Sequence, residues 1–230
     1  MLRFITRPYE SLHIRYSVLF FALLLMLFLP YLLPDRIERL VMASAMAFLM
    51  ISALAAAADT AVRFRVGLVL AVPAAATWFA PDLTVVSLMP ASRALSVVFF
   101  GYVAFTLLRH VVRARKVDAE ILFGAACIYL FFALVWGLLY ELVVELQPGS
   151  LALGGRPIVA GDAGGGAVMY FSFVTLTTLG YGDITPVNQF ARLLAMLEAV
   201  LGQLFMVFLV ARLVGVHTAQ ALARAPAEDR

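Results

Sequence analysis

The stretch Thr177-Thr178-Leu179-Gly180-Tyr181-Gly182-Asp183 holds the residues of this chain best suited to chemistry. Gly180 and Gly182 stand at alternate positions, and glycine takes φ > 0 without the steric cost that other residues meet. A backbone whose twist alternates in this way turns successive carbonyls toward one axis. Thr178 adds a hydroxyl, so the segment offers a row of oxygens, the ligands a dehydrated cation needs. No other group of residues is comparable. His13, His110 and His217 are scattered, and no His/Asp/Glu pair has metal-ligand spacing. An enzyme needs clustered polar catalytic groups, and none occurs outside this stretch. Cys127 is the one cysteine; it excludes an intramolecular disulfide and, lying in an apolar run, reads as a buried structural thiol rather than a redox group.

The elements that must position this stretch are membrane elements. Of 230 residues, 64% are hydrophobic and 13% charged, whereas ordinary globular chains are about a quarter charged. The mean hydropathy is +0.99. The net charge of +3 does not point to nucleic acid, because the cations lie in short connections between apolar runs. A spanning helix takes about 20 mostly apolar residues. Windows at 16–33, 40–58, 66–80, 85–108, 121–140 and 193–215 qualify, the third weakened by Pro73 and the fourth by Pro90 and Arg93. Arg3, Arg7 and Arg15 before the first window resemble a signal peptide. That window, however, runs on to Pro34-Asp35-Arg36 without a small-residue cleavage site, so it reads as a retained span. With both termini inside, twelve of the seventeen Lys and Arg residues fall on the cytoplasmic side, as the positive-inside rule requires. The expected fold is all-α: six membrane helices, with a re-entrant helix and loop between the fifth and sixth.

The connection between the last two windows has two parts. Residues 145–166 are rich in glycine and contain proline, and are expected to form a mobile extracellular loop. Residues 167–177 are apolar, aromatic and free of both. They fit a half-length helix dipping into the membrane, tolerated only where protein or a water-filled pore surrounds it. There is no internal repeat, and the residues after Gly215 are too few for a ligand-sensing domain.

Thr178-Leu179-Gly180-Tyr181-Gly182, placed after a short helix and between two spans, resembles the tetrameric potassium-channel family, whose hallmark is a Thr-Val-Gly-Tyr-Gly loop. The resemblance implies a homotetramer in which four copies of the loop form the selectivity filter. Potassium would be held by Thr178, Leu179, Gly180 and Tyr181, and Gly182 would complete the filter. Thr177 and Asp183 would support it, Asp183 at the outer mouth. Tyr181 would point away from the pore and pack on Tyr170, Phe171 or Phe173. In the last span Gly202 is either a hinge or a close-packing glycine, and Gln203, Met206 and Val210 would face the cavity. The negative end of the short helix would favour a cation there, and Asp35, Glu38, Asp82, Glu141, Glu145 and Asp162 would concentrate cations outside. Implied as well are the absence of any cofactor, with K+ as permeant ligand only, lipid as the surroundings, and no nucleic-acid partner. Localisation would be a cell membrane of the prokaryotic plasma-membrane kind with both termini cytoplasmic. A nonselective cation channel and, further off, a transporter are the alternatives. The intact Gly-Tyr-Gly argues against the first, and the lack of a repeat against the second.

The chain departs from that family at Leu179, where Val is usual, and at Val174, where some bacterial relatives carry a glutamate bonded to the filter-end aspartate. No Pro-x-Pro kink follows Gly202. The division expected is 1–118 for a peripheral domain, 119–218 for the pore domain and 219–230 for a cytoplasmic tail. The peripheral part resembles a voltage sensor in layout alone. Its fourth window has Arg93 at one end and Arg109 at the other with no cation between, so weak or absent voltage dependence is expected. Glu198 within the sixth window is either a functional acid or a protonated or hydrogen-bonded packing residue behind the filter, and its register favours packing. The three histidines are either exposed interfacial residues or internal pH sensors.

Overall fold

The computed structural model describes residues 15–32, 35–57, 61–79, 89–114, 116–159 and 164–224. Among the described residues seven helices dominate: α1 Arg15–Leu32, α2 Asp35–Ala57, α3 Ala61–Phe79, α4 Met89–Arg113, α5 Ala119–Leu146, α6 Gly164–Leu176 and α7 Gln189–Arg224. Among the described residues, helical segments at Arg93–Arg113, Ala119–Leu146 and Gln189–Gln220 are long and apolar enough to cross a membrane, while Tyr16–Leu29, Ser44–Ala56 and Gly166–Leu176 are shorter apolar helices. His13, Asp82, Asp162 and the residues from 225 onward lie outside the described residues.

Local chemistry sets the ends of these helices. Asp118 adopts φ −120 and ψ 179 and its carboxylate accepts the Ile121 amide at 2.9 Å, an N-cap for α5. Glu120, in the first turn of α5, turns its carboxylate to the start of α1 and accepts the amides of Tyr16 (3.1 Å) and Ser17 (3.3 Å). One acid thereby satisfies two orphan donors on another helix. Pro90 is the second residue of α4, where its missing N–H costs nothing.

The core is continuous from the first helices into α5. Phe99 and Phe100 of α4 and Phe131 of α5 are fully buried, with ring centroids 5.0 Å apart in the first pair and 5.9 Å between Phe100 and Phe131. Tyr16 and Leu19 of α1, Met46 and Leu49 of α2 and Leu209 of α7 share that core. A second core forms where α5, α6 and the start of α7 meet, around Tyr140, Val143, Leu151, Phe171 and Ile184.

Within residues 145–166, expected as a mobile loop, residues 151–157 form paired strands. Strands β1 Leu151–Leu153, β2 Arg156–Pro157 and β3 Ile184–Pro186 form an antiparallel sheet in the order β2-β1-β3. Gly154 (φ +55) and Gly155 (φ +82) make the two-residue turn of the first hairpin. Two positive φ values in succession match the twist of paired strands, and glycine supplies both without strain. The buried side chains of Leu151, Ile158 and Ile184 anchor the sheet on the second core.

α7 has 36 residues. At 1.5 Å per residue it is about 54 Å long, well beyond the ~30 Å of a bilayer core. It passes Gly202 and residue 218 without interruption.

Candidate functional site

The site grows out of the C-terminus of α6. That helix is capped by a paired motif: Leu179 N–H donates to Val174 O at 2.9 Å and Thr178 N–H to Thr175 O at 3.0 Å. This is the Schellman arrangement, which needs a left-handed residue at the position Thr178 fills. Thr178 has φ +57. Glycine is the usual occupant, and a β-branched residue there costs on the order of 1–3 kcal/mol. The cap explains the backbone but not the threonine. Its hydroxyl has no partner among the described residues, whereas the hydroxyl of Thr177 donates to Phe173 O at 2.6 Å. A strained residue with an unengaged hydroxyl fits a side chain kept for its oxygen.

Positive φ then recurs at every second residue: Thr178 at +57, Gly180 at +57 and Gly182 at +79. In an extended strand successive carbonyls alternate sides. A left-handed residue at every second position cancels that alternation and brings neighbouring carbonyls to one side. Among the described residues no carbonyl from Thr177 to Gly182 accepts a hydrogen bond, and all of these residues are exposed. Carbonyls that are exposed and accept no bond from the chain are open to water or to another partner, and a bare cation is one.

The outer end of this segment is held by the sheet. Asp183 O accepts the Gly154 amide at 2.8 Å, so the hairpin turn is bonded directly to the segment. The Asp183 carboxylate accepts the amide of Ile184 at 3.0 Å. Val187 N–H donates to Ser150 O at 2.8 Å. Asn188 ties the ends of two helices: its Oδ1 accepts the Ala191 amide at 2.7 Å, capping α7, and its Nδ2 donates to Gln147 Oε1 at 2.8 Å, just after α5. Val174 offers no side-chain bond to Asp183, so the anchorage of the outer end passes to β1 and its turn. The signal for this was present in Leu153-Gly154-Gly155-Arg156, a Gly-Gly pair between short apolar runs.

Behind the segment, α6 is wedged between α5 and α7. A Cβ at Gly137 would strike Met169 Sδ at 2.5 Å and stand 3.4 Å from Met169 Cα, so glycine here lets α6 lie close to α5 without displacing the methionine. Gly202 plays the same part on α7. A Cβ at that position would run into Leu176 Cδ1, and would meet the Leu176 carbonyl oxygen at 3.4 Å. Leu176, the last residue of α6, is fully buried. Gly202 thus lies at a close contact between α7 and the end of α6, within an uninterrupted helix. Glu198 is also fully buried: Tyr140 donates its hydroxyl to Glu198 Oε2 at 2.8 Å, and Glu198 Oε1 lies 2.5 Å from Ser172 Oγ.

Of the other residues singled out, Leu179, Gln203, Met206 and Val210 are exposed, the last three along one side of α7. Within the one chain, Tyr181 does not rest on the aromatics of α6. It is 67% exposed, and Phe171 packs its edge on Tyr140 instead, centroids 5.0 Å apart. Phe171 turns inward to α5 because Tyr140 closes the second core.

Arg93 at the start of α4 meets two acids of α5. Its NH1 is 2.7 Å from Glu141 Oε2 and its Nε donates to Glu145 Oε1 at 3.3 Å. Of the acids expected to gather cations, Glu141 and Glu145 are thus engaged in an ion pair. At the other end of α4, His110 is tilted on the ring of Tyr16, centroids 5.7 Å apart.

Residues 156–218, from β2 through α6 and most of α7, match a family model described as an ion channel. No curated protein matches the chain. The match and the apolar helices together support a membrane protein that lets ions pass passively, and they favour a non-enzymatic role.

Proposed function

We propose that the chain is one of four identical subunits of a potassium-selective channel, with residues 177–183 as its filter. The observation that carries this reading is the run of left-handed residues at 178, 180 and 182, flanked by carbonyls that accept no bond among the described residues. One chain supplies one row of oxygens and cannot surround an ion. Rotational copies about a common axis can, and the resemblance to Thr-Val-Gly-Tyr-Gly loops sets their number at four. The apolar, exposed length of α7, including Met196, Val200, Val207 and Val210, is the surface such copies and the membrane would cover. The exposed ring of Tyr181 fits a contact with a neighbouring copy.

In this reading α1 to α5 and α7 traverse the membrane, α6 enters it from outside, and both termini are cytoplasmic. The C-terminal carbonyls of α6 give the inner entrance a partial negative charge. The first four helices share a core with α5 and act as its scaffold. Moving one charge across the membrane is worth about 2.3 kcal/mol per 100 mV. Arg93 is tied to α5, and Arg109 and Arg113 sit in the last turns of α4, so little charge is free to move.

The test is K+ against Na+ flux through the purified protein in liposomes, beside a Gly180→Asp variant. Potassium-selective, barium-blocked flux that vanishes in the variant is the expected result. Equal passage of sodium would replace the reading with a nonselective cation channel. No flux under any voltage, pH or lipid composition would overturn it.

A further inference from the structure

The proton count around Glu198 carries more than its packing. Ser172 Oγ lies 2.5 Å from Glu198 Oε1 and 2.8 Å from Ala133 O. Both contacts are oxygen to oxygen, so each requires a hydrogen between the atoms. A serine hydroxyl has one, and a peptide carbonyl has none. Tyr140 supplies the hydrogen for Glu198 Oε2 at 2.8 Å. Were Glu198 ionised, one of the two contacts at Ser172 would set bare lone pairs against each other. With a proton on Oε1 the chain closes: Tyr140 donates to Glu198, Glu198 to Ser172, and Ser172 to Ala133 O.

The surroundings agree. Glu198 is fully buried. Facing it from α5 are the phenols of Tyr140 and Tyr129, both neutral donors. α6 contributes Ser172 and contains no charged residue, and along α7 the nearest charges are Arg192 and Arg212. No cation pairs with Glu198 among the described residues. Isolated buried carboxylates are too costly to persist without a counter-charge or several donors.

We infer that Glu198 is a neutral carboxylic acid serving as the positioning residue of the filter: it donates to α6 through Ser172 and accepts from α5 through Tyr140, fixing the helix from which residues 177–183 emerge. The inference rests on the channel reading for its function but not for its protonation. A shift of α6 along α5 breaks the chain at Ala133, at the turn where Gly137 allows close approach. The network therefore opposes the sliding of α6 that would carry Thr177 and Thr178 out of place.

Two measurements test this. The infrared spectrum of the assembled protein in neutral buffer, minus that of Glu198→Gln, should contain a protonated-carboxyl C=O stretch. Tyr140→Phe, which removes one bond to that carbonyl, should move the band to higher frequency. A difference spectrum showing carboxylate bands instead would overturn the assignment, whether or not the protein conducts. In flux assays Glu198→Ala should lower the K+/Na+ ratio at least about tenfold, while Glu198→Gln, which can still accept from Tyr140 and donate to Ser172, should stay within about twofold. An unchanged ratio in Glu198→Ala, or equal damage from both variants, would refute the positioning role. Should Glu198→Ala not assemble, Ser172→Ala replaces it with the same expectation.

Discussion

Gly202→Ala separates two roles for the same glycine. A methyl at this position collides with Leu176 Cδ1 and stands 3.4 Å from the Leu176 carbonyl oxygen. Leu176 is fully buried, so its side chain has little room to yield, and overpacking of this kind costs about 1–3 kcal/mol. Replacing glycine by alanine inside a helix returns about 1 kcal/mol of propensity. The net loss is then about 0–2 kcal/mol, delivered at the helix end from which the filter segment emerges. Leu176→Ala alone should cost about 2–5 kcal/mol by opening a cavity. In the double variant the new methyl enters that cavity, so its loss should fall short of the sum of the two single losses by about 1–2 kcal/mol. The assay is the thermal midpoint of the assembled protein for the four members of the cycle, with K+/Na+ flux measured on each. Packing predicts that Leu176→Ala rescues the selectivity of Gly202→Ala. A hinge predicts that Gly202→Ala alters opening whatever residue stands at 176. Additive losses, within error, would refute the contact and the reasoning built on it.

Other consequences are as direct. Arg93→Gln removes the cation facing two acids whose side chains are at least 87% buried, and should destabilise the protein by about 3–5 kcal/mol; the thermal midpoint should recover in part in the Arg93→Gln/Glu141→Gln double variant, and an unshifted midpoint in the single variant would show the pair to be inert. The Gly154 amide lies in an exposed turn yet donates to Asp183 at 2.8 Å, so its hydrogen exchange should be slow, and faster in Gly155→Ala, where an L residue at φ +82 costs on the order of 1–2 kcal/mol. Exchange at the rate of a free turn in the unmodified protein would remove the hairpin from the support of the filter. Conductance should vary shallowly with voltage, and an e-fold change within a few millivolts would contradict the tethering of Arg93.

How much of this was legible beforehand depends on the range of the physics involved. Gly180 and Gly182 announce positive φ because the property belongs to the residue itself. Thr178 does not: its left-handed backbone follows from the capping of α6 against Val174 and Thr175, and only the folded chain shows it. Glu198 could be placed on an inward face by helical register, but its partners, Tyr140 and Ser172, lie 58 and 26 residues away. The Gly-Gly turn was readable in principle. What orders its glycines is β3, a strand that lies beyond the whole of α6 in the chain.

Composition and the spacing of apolar runs decide by themselves that this is a membrane chain with a short helix and an oxygen-rich loop between two long helices. Burial in lipid and the left-handed freedom of glycine act locally, and a sequence records local preferences directly. Which surfaces meet is another matter. That Gly202 accommodates Leu176, that Gly154 holds Asp183, that Arg93 joins α4 to α5 and that Phe171 packs on Tyr140 are outcomes of packing between segments distant in the chain. Shape and hydrogen-bond geometry select such contacts only once the helices are assembled.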